Sequence, residues 1–403
     1  MFQANMEVTE AAAALDGVPE LTKILVVDDE PALEPLVRQR FRKKIRANEW
    51  TFEFAHDGYE ALKQLDNHPD IELILTDINM PGMDGLTLLN RLGEMDRLLR
   101  AVVVSAYGDM KNIRTAMNRG AFDFVTKPVD FEDLETTIYK GLRELKAFRE
   151  ASEAQHRLSA LQNELDIARQ IQEAALPDQI PDRREFEIAA SMVPAKEVGG
   201  DLYDFFLIGE NRLAFVIGDV SGKGLSAAML MSVSRSLLKA MALKGPSPGA
   251  AVEDLNRLLY PDTLPQMFVT LFYGVLDTST GTVIYCNAGH NPPFVIRKDG
   301  DVSFLERSGG IAVCLLNGFK YEDRQVVLRP GDALFLYTDG VTEAMSPTNE
   351  EYSEDRLAEV LRQNASASAE ALIDRAVRGV QDFTKGAAQS DDITSLVLRY
   401  AGG

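Results

Sequence analysis

The chain has 403 residues, enough for two to three domains at roughly 150 residues each. Hydrophobic residues make up 45% and charged residues 26%, the balance of a folded globular protein and not of a disordered one. With 42 Lys and Arg against 62 Asp and Glu, the formal charge of −20 repels a phosphate backbone, so nucleic acid is not an expected partner. Cys286 and Cys314 have neither the number of a disulfide framework nor the spacing of a zinc site. No apolar run approaches the roughly 18 residues of a membrane span. No basic residue precedes Lys23, so a signal peptide is not read. The expectation is a cytoplasmic chain, away from the membrane, with residues 1–20 as a flexible tail.

From Lys23 to about Lys140, short apolar runs (24–27, 52–55, 71–75, 101–104 and 122–125) alternate with helix-period segments (33–45, 59–65, 86–92 and 110–117). Five such units predict a parallel sheet covered on both faces, a doubly wound α/β fold whose working edge is the carboxyl end of the strands. Residues 131–176 contain no Pro and a single Gly, Gly141. Leu158, Leu161, Leu165, Ala168 and Ala175 are spaced near 3.5, which predicts one long coiled-coil-like helix ended by Pro177 and Pro181. The domains are therefore placed at 21–140 and 181–403, with a helical linker at 141–180.

From Phe186 to Tyr400, strand-like runs dominate: 213–217, 267–276, 282–286, 325–328, 333–337 and 393–398. Helical stretches at 225–243, 354–363 and 369–383 interrupt them. This predicts an α+β domain of stacked sheets flanked by helices, an α-β-β-α layered sandwich.

The first constellation lies at strand ends. Asp28-Asp29 follows the first strand and Asp77 ends the third, so three carboxylates meet at one sheet edge and call for a hard cation such as Mg²⁺. Ser105 follows the fourth strand and Lys127 the fifth, placing a hydroxyl and an ammonium beside them. Lys127-Pro128 is an expected cis peptide. Residues 21–140 resemble the receiver domain of two-component response regulators. The resemblance is carried by Val26-Val27-Asp28-Asp29-Glu30, Thr76 to Gly85, Ser105-Ala106-Tyr107 and Thr126-Lys127-Pro128. It implies a flavodoxin-like fold, phosphorylation of Asp77 by a sensor histidine kinase, and a Mg²⁺ ion held by Asp29, Asp28, Asp77 and the Asn79 carbonyl. Ser105 would be the switch hydroxyl and Phe124 the switch aromatic, although packing alone reads Phe124 as core. A basic run, Arg38, Arg40, Arg42, Lys43, Lys44 and Arg46, is either a solvated face or a docking face for the second domain.

The second constellation comprises Gly199-Gly200-Asp201 with Asp204 ahead of a strand, Gly218-Asp219-Val220-Ser221-Gly222-Lys223-Gly224, Thr338-Asp339-Gly340 and Ser390-Asp391-Asp392. Four aspartates at strand ends suit an octahedral oxygen site for Mg²⁺ or Mn²⁺, and two such ions about 4 Å apart can activate water for attack on phosphorus. The 218–224 loop fails the Walker A pattern, because Gly224 follows Lys223 where Ser or Thr is required.

Residues 165–400 are similar to the metal-dependent type 2C serine/threonine phosphatases. They most resemble the bacterial branch typified by the stage-II sporulation phosphatase and the stress-response regulators of partner switching. The motifs are Glu164 to Gln172, Val198 to Asp204, Gly218 to Gly224, Asn287 to Pro293, Tyr337 to Ala344 and Asp391 to Thr394. The resemblance implies Asp201, Asp219, Asp339 and Asp391 as metal carboxylates, with Asp392 as the alternative to Asp391 and the Val220 carbonyl as a further ligand. Two Mg²⁺ or Mn²⁺ ions would be bound. The family's phosphate-binding arginine has no clear counterpart, and Lys196 is the substitute nearest Asp201 in sequence. His290 reads equally as a general acid or as a loop support.

The whole chain is then expected to be a response regulator whose aspartyl phosphorylation controls a protein phosphatase. Its implied substrate is a phosphorylated anti-anti-sigma factor of the STAS type. The other reading is a non-catalytic adaptor that binds a partner through a phosphatase-like domain. The apolar stripe on the linker requires a cover. Before Leu165 that cover is expected to be a second copy of the chain, giving a homodimer, and after it the phosphatase core.

Overall fold

The structure is a computed structural model, and it describes residues 21–403 except Tyr107, Asp178, Arg307 and Ser308. The expected tail at 1–20, and Tyr107 of the receiver motif, lie outside the described residues. The chain divides into two compact units at Leu158/Ser159.

In the first unit, strands β1 (Thr22–Val27), β2 (Trp50–Ala55), β3 (Ile71–Asp77), β4 (Arg100–Ala106) and β5 (Asp123–Lys127) form one sheet of order β2-β1-β3-β4-β5. Every pairing in it is parallel, as the doubly wound reading requires. The expected first helix at 33–45 is two helices, α1 (Leu33–Arg40) and α2 (Arg42–Arg46). The break falls at Phe41, a buried residue whose ring packs on Trp50 at 5.3 Å and Phe52 at 5.6 Å. Aromatic packing thereby overrides a helix-compatible sequence. Helices α3 (Gly58–Asn67) and α4 (Gly85–Gly93) start on side-chain caps. Asp57 accepts from the Glu60 amide at 2.8 Å and Asp84 from the Thr87 amide at 2.7 Å. Helix α5 (Met110–Asn118) completes the crossovers before β5. Apolar residues of the sheet are buried on both faces, with Leu25, Val27, Ile74 and Val103 on one and Ile24, Val26, Leu73 and Val102 on the other.

Helix α6 (Phe131–Ala175) runs 45 residues without interruption. Leu134, Ile138 and Leu145 are buried in the receiver core, and Arg149 pairs with Glu72. Packing on the receiver thus continues past residue 140.

The second unit contains two antiparallel five-stranded sheets. One has the order β13 (Arg324–Val327), β10 (Thr282–Ala288), β9 (Val269–Asp277), β8 (Arg212–Val220), β7 (Leu202–Leu207). The other has the order β12 (Val302–Phe304), β11 (Phe294–Ile296), β14 (Ala333–Tyr337), β15 (Ile393–Tyr400), β6 (Phe186–Val193). Their inner faces share a core built from Phe205, Phe215, Phe272 and Tyr285 of the first sheet and Ile188, Leu334, Leu336 and Leu396 of the second. Helices α7 (Leu225–Ala242) and α8 (Pro248–Leu259) cover the outer face of the first sheet. A four-residue turn of helix, α9 (Asp339–Thr342), leads to α10 (Ser353–Gln363) and α11 (Ala369–Thr384), which cover the second. The layers are therefore α-β-β-α. No helix among the described residues is long and apolar enough to cross a membrane.

Candidate functional sites

In the receiver, Asp28, Asp29 and Asp77 bring one carboxylate oxygen each within 4.8 Å of one another. Among the described residues this is the one cluster of three or more metal-ligating side chains that close. Parallel register produces it: β1 and β3 are neighbours, and Val27 pairs with Thr76, one residue before each acid. Oxygen-only donors at this spacing fit a Mg²⁺ ion. Asn79, exposed, gives its amide to Asp77 Oδ1 at 3.1 Å. The Lys127 ammonium reaches Asp28 Oδ2 at 2.9 Å and Asp77 Oδ2 at 2.5 Å. Burial works against the Lys127 charge, but the hydrogen bonds to Asp77 and Asp28 outweigh it and raise its pKa. The Lys127–Pro128 bond is cis, as expected. Ser105 is fully buried, and its hydroxyl has no hydrogen-bond partner among the described residues. Phe124 corrects the packing argument: it is 36% exposed, because its position on the edge strand β5 faces outward and not into the core.

In the second unit the two sheets bring together residues distant in sequence. Asp201 stands immediately before β7, Asp219 near the end of β8, Asp339 at the start of α9 and Asp391 just before β15. Asp204 does not precede the strand but lies within it, fully buried and paired with Arg235 at 2.9 Å and Lys239 at 3.3 Å of α7.

Asp201 is buried, and its Oδ2 accepts hydroxyl hydrogen bonds from Thr338 at 2.8 Å and Thr394 at 2.5 Å. Its pKa is raised far above the carboxylate range, first by burial and then by the charge of Asp219. Asp219 is pushed up to about 7 by burial and by the charges of Asp339, Asp391 and Asp392. Asp339 is also raised, by burial and then by Asp391. Repulsion of Asp219 against Asp201 on one side and Asp339 and Asp391 on the other calls for a positive partner, and an oxygen-binding divalent cation is the partner whose chemistry fits.

The adjacent pair at 391–392 divides its tasks. Asp392 is buried, and its carboxylate accepts the backbone amides of Ala195 at 2.7 Å and Gly200 at 2.6 Å, so it supports the loop of Asp201. Asp391 is half-exposed, and its Oδ2 holds the Lys223 ammonium at 2.8 Å. The glycines between these parts have no room for a side chain. A Cβ on Gly199 would lie 2.6 Å from Asp392 Oδ2, and one on Gly340 would lie 2.0 Å from the Asp392 carbonyl. The Val220 carbonyl lies 3.0 Å from where a Cβ of Gly200 would be.

Three contributors were not read from the sequence. Gln172 of α6 is buried and clamps Gly199 from both sides, donating to its carbonyl at 2.7 Å and accepting its amide at 3.1 Å. Gln172 ends the helical motif at 164–172, but a lone Gln on a helix gives no periodic signal. Thr338 and Thr394 stand beside motif aspartates, and only the pairing of β14 with β15 shows that both serve Asp201. Lys196 is exposed. His290 is buried, with Nδ1 3.0 Å from the Thr270 hydroxyl and its backbone locked to the Asn287 side chain. Burial drives its pKa down to about 4 against the opposing effect of the Tyr337 backbone. Cys286 is buried and Cys314 half-buried, and both are free thiols.

Residues 24–139 match the response regulator receiver domain, and residues 209–401 match stage II sporulation protein E (SpoIIE). Over 121 residues the chain is 33% identical to sporulation initiation phosphotransferase F of Bacillus subtilis (strain 168), covering 30% of this chain and 93% of that protein. The chain belongs to the response regulator receiver family, with a SpoIIE/PP2C-type domain behind the receiver. This receiver–SpoIIE chain is 36% identical over 262 residues to Protein IcfG of Synechocystis sp. (strain ATCC 27184 / PCC 6803 / Kazusa), covering 58% of this chain and 41% of IcfG. It is 28% identical over 242 residues to phosphoserine phosphatase RsbU of B. subtilis (strain 168), covering 59% of this chain and 70% of RsbU. It therefore spans less than half the length of IcfG. The SiaA-PP2C domain of Pseudomonas aeruginosa superposes with a TM-score of 0.53 at 23% identity, covering 61% of this chain and 98% of that one, which establishes a shared fold.

Proposed function

We propose that the SpoIIE/PP2C-type domain is a metal-dependent protein serine/threonine phosphatase under control of the receiver. The observation that carries this reading is the Asp201–Asp219 pair. Both carboxylates are partly or fully buried, both are held back from ionisation, and the charges of Asp339 and Asp391 act on Asp219 on a PP2C-like fold. Asp201, Asp219, Asp339, Asp391 and the Val220 carbonyl would hold two Mg²⁺ or Mn²⁺ ions. Such ions, when bound, lower the pKa of a water for attack on phosphorus and offset charge on the phosphoryl oxygens.

The chain's own contribution is positioning. Thr338 and Thr394 fix one oxygen of Asp201. Asp392 and Gln172 hold the two glycines that set the Asp201 backbone. An imidazole with a pKa near 4 is unprotonated at neutral pH, which supports the reading of His290 as a loop support and not as a proton donor.

In the receiver, Asp77 would accept a phosphoryl group from a sensor histidine kinase. Asp28, Asp29, Asp77 and the Asn79 carbonyl would hold Mg²⁺, with Ser105, Phe124 and Lys127 as the responding groups. The unpartnered Ser105 hydroxyl supports this role. The name of RsbU, a phosphoserine phosphatase, supports a phosphoserine substrate; a phosphorylated STAS-type anti-anti-sigma factor and a place in partner switching are what the motif resemblance implies. The linker stripe supports a homodimer. The test is hydrolysis by the full chain of p-nitrophenyl phosphate and of a phosphorylated STAS protein, with Mn²⁺ and with EDTA. Binding of the STAS protein without hydrolysis would replace the enzyme by the adaptor.

A further inference from the structure

The Lys223 ammonium sits on one of the site's carboxylates. Nζ is 2.8 Å from Asp391 Oδ2 and also donates to the Ser390 carbonyl. Two loops from different sheets are thereby tied together, the one after Asp219 and the one before β15. Asp391, Asp392 and Asp339 all act on the Lys223 charge. The surrounding backbone is built to move. Lys223 stands between Gly222 at φ 95° and Gly224 at φ 80°, and a Cβ at either glycine would meet nothing within 4 Å. These left-handed glycines let the loop carry its side chain toward or away from Asp391 without a steric barrier from neighbours. The pair itself is half-exposed, with side chains 42% and 37% accessible, and an ion pair of that kind is weak and readily exchanged.

Resting on the metal-dependent reading above, we propose that Lys223 is a built-in counter-ion. It occupies Asp391 when no divalent cation is bound, and a cation must displace it. A metal ion at Asp391 Oδ2 competes with the Lys223 ammonium for that oxygen, and their like charges oppose one another across a short distance. Lys223 therefore sets a threshold for occupation at Asp391, while Asp201 has its Oδ2 held by the Thr338 and Thr394 hydroxyls.

Calorimetric titration of the full chain with Mn²⁺, after removal of bound ions by EDTA, tests this. The receiver ion is common to all variants, so differences report the second domain. Lys223→Met is expected to tighten one Mn²⁺ site about tenfold, and Lys223→Arg to stay within about threefold of the natural chain. In an Asp391→Asn background, Lys223→Met is expected to change nothing. An Lys223→Met isotherm that coincides with that of the natural chain, or shows weaker binding, overturns the proposal. If Mn²⁺-dependent hydrolysis persists in that case, the phosphatase reading stands and only the counter-ion falls. If no variant binds Mn²⁺ in the second domain and none hydrolyses p-nitrophenyl phosphate, both fall together.

Discussion

The adjacent acids Asp391 and Asp392 are chemically identical and functionally separable. Asp392 accepts two backbone amides of the Asp201 loop, and removing it strands those donors in a buried place. Asp392→Ala is expected to cost about 2–3 kcal/mol of stability, read by denaturant unfolding. Asp391→Asn, on a half-exposed side chain, should leave stability within about 0.5 kcal/mol and abolish a Mn²⁺ site. Asp219→Ala is expected to lower hydrolysis by at least about a hundredfold while acetyl phosphate still labels Asp77, and Asp77→Asn to do the reverse. Near-normal hydrolysis by Asp219→Ala would place the site elsewhere. His290 offers a test of burial. Its folded pKa of about 4 lies below the ordinary 6.5, so the unfolded chain binds the extra proton between those values. The stabilisation is complete above pH 6.5 and is lost as pH falls toward 4, by on the order of 3 kcal/mol. The raised carboxylates Asp201, Asp219 and Asp339 act in the opposite sense. The measurement is therefore the difference in unfolding free energy between the natural chain and His290→Gln. That difference should change with pH only in this window.

At the scale of elements, helix α6 has two kinds of surface. Its receiver end buries Leu134, Ile138 and Leu145, and within the second unit Gln172 is buried against Gly199. Leu158 and Leu161 between them are 57% and 53% exposed. A helix with this much uncovered apolar surface gains little from its own hydrogen bonds, and in the proposed homodimer a partner helix would supply the missing burial. Leu158→Glu with Leu161→Glu is expected to shift the full chain from dimer to monomer in sedimentation, with the Mn²⁺ affinity unchanged. A double variant that stays dimeric would remove the stripe from assembly. Gln172→Ala leaves both polar groups of Gly199 without their clamp. It should cost about 1–3 kcal/mol and lower Mn²⁺ affinity through the loosened Asp201 loop.

For the whole molecule, the sandwich core and its two outer layers are closed by apolar residues. EDTA should therefore stop hydrolysis while the far-ultraviolet spectrum of the full chain persists. Robust hydrolysis in excess EDTA would rule out metal chemistry. If the receiver controls the phosphatase, beryllofluoride should change the hydrolysis rate of the natural chain and leave that of Asp77→Asn unaltered. An equal rate in all four conditions would uncouple the two domains.

The five parallel units of the receiver, the long helix and the positions of the candidate-site aspartates at strand ends were legible in the sequence, because strand and helix periods and short motifs are local signals. The short strands β11 and β12 were not, since three residues carry no period. Helix α8 was also missed, although Ser247 and Pro248 at its start are a capping signature. What only the tertiary structure decided is which neighbour each side chain meets. Asp391 and Asp392 differ by the loops that fold over them, Phe124 by the face of an edge strand, and Phe41 by the aromatic rings that break its helix. Gln172, Thr338 and Thr394 acquire their roles by closing on Gly199 and Asp201, and Lys223 by reaching Asp391 across two sheets. Each of the contacts that bring in Gln172, Thr338, Thr394 and Lys223 joins residues far apart in the chain, and sequence periodicity carries no information about partners at that distance.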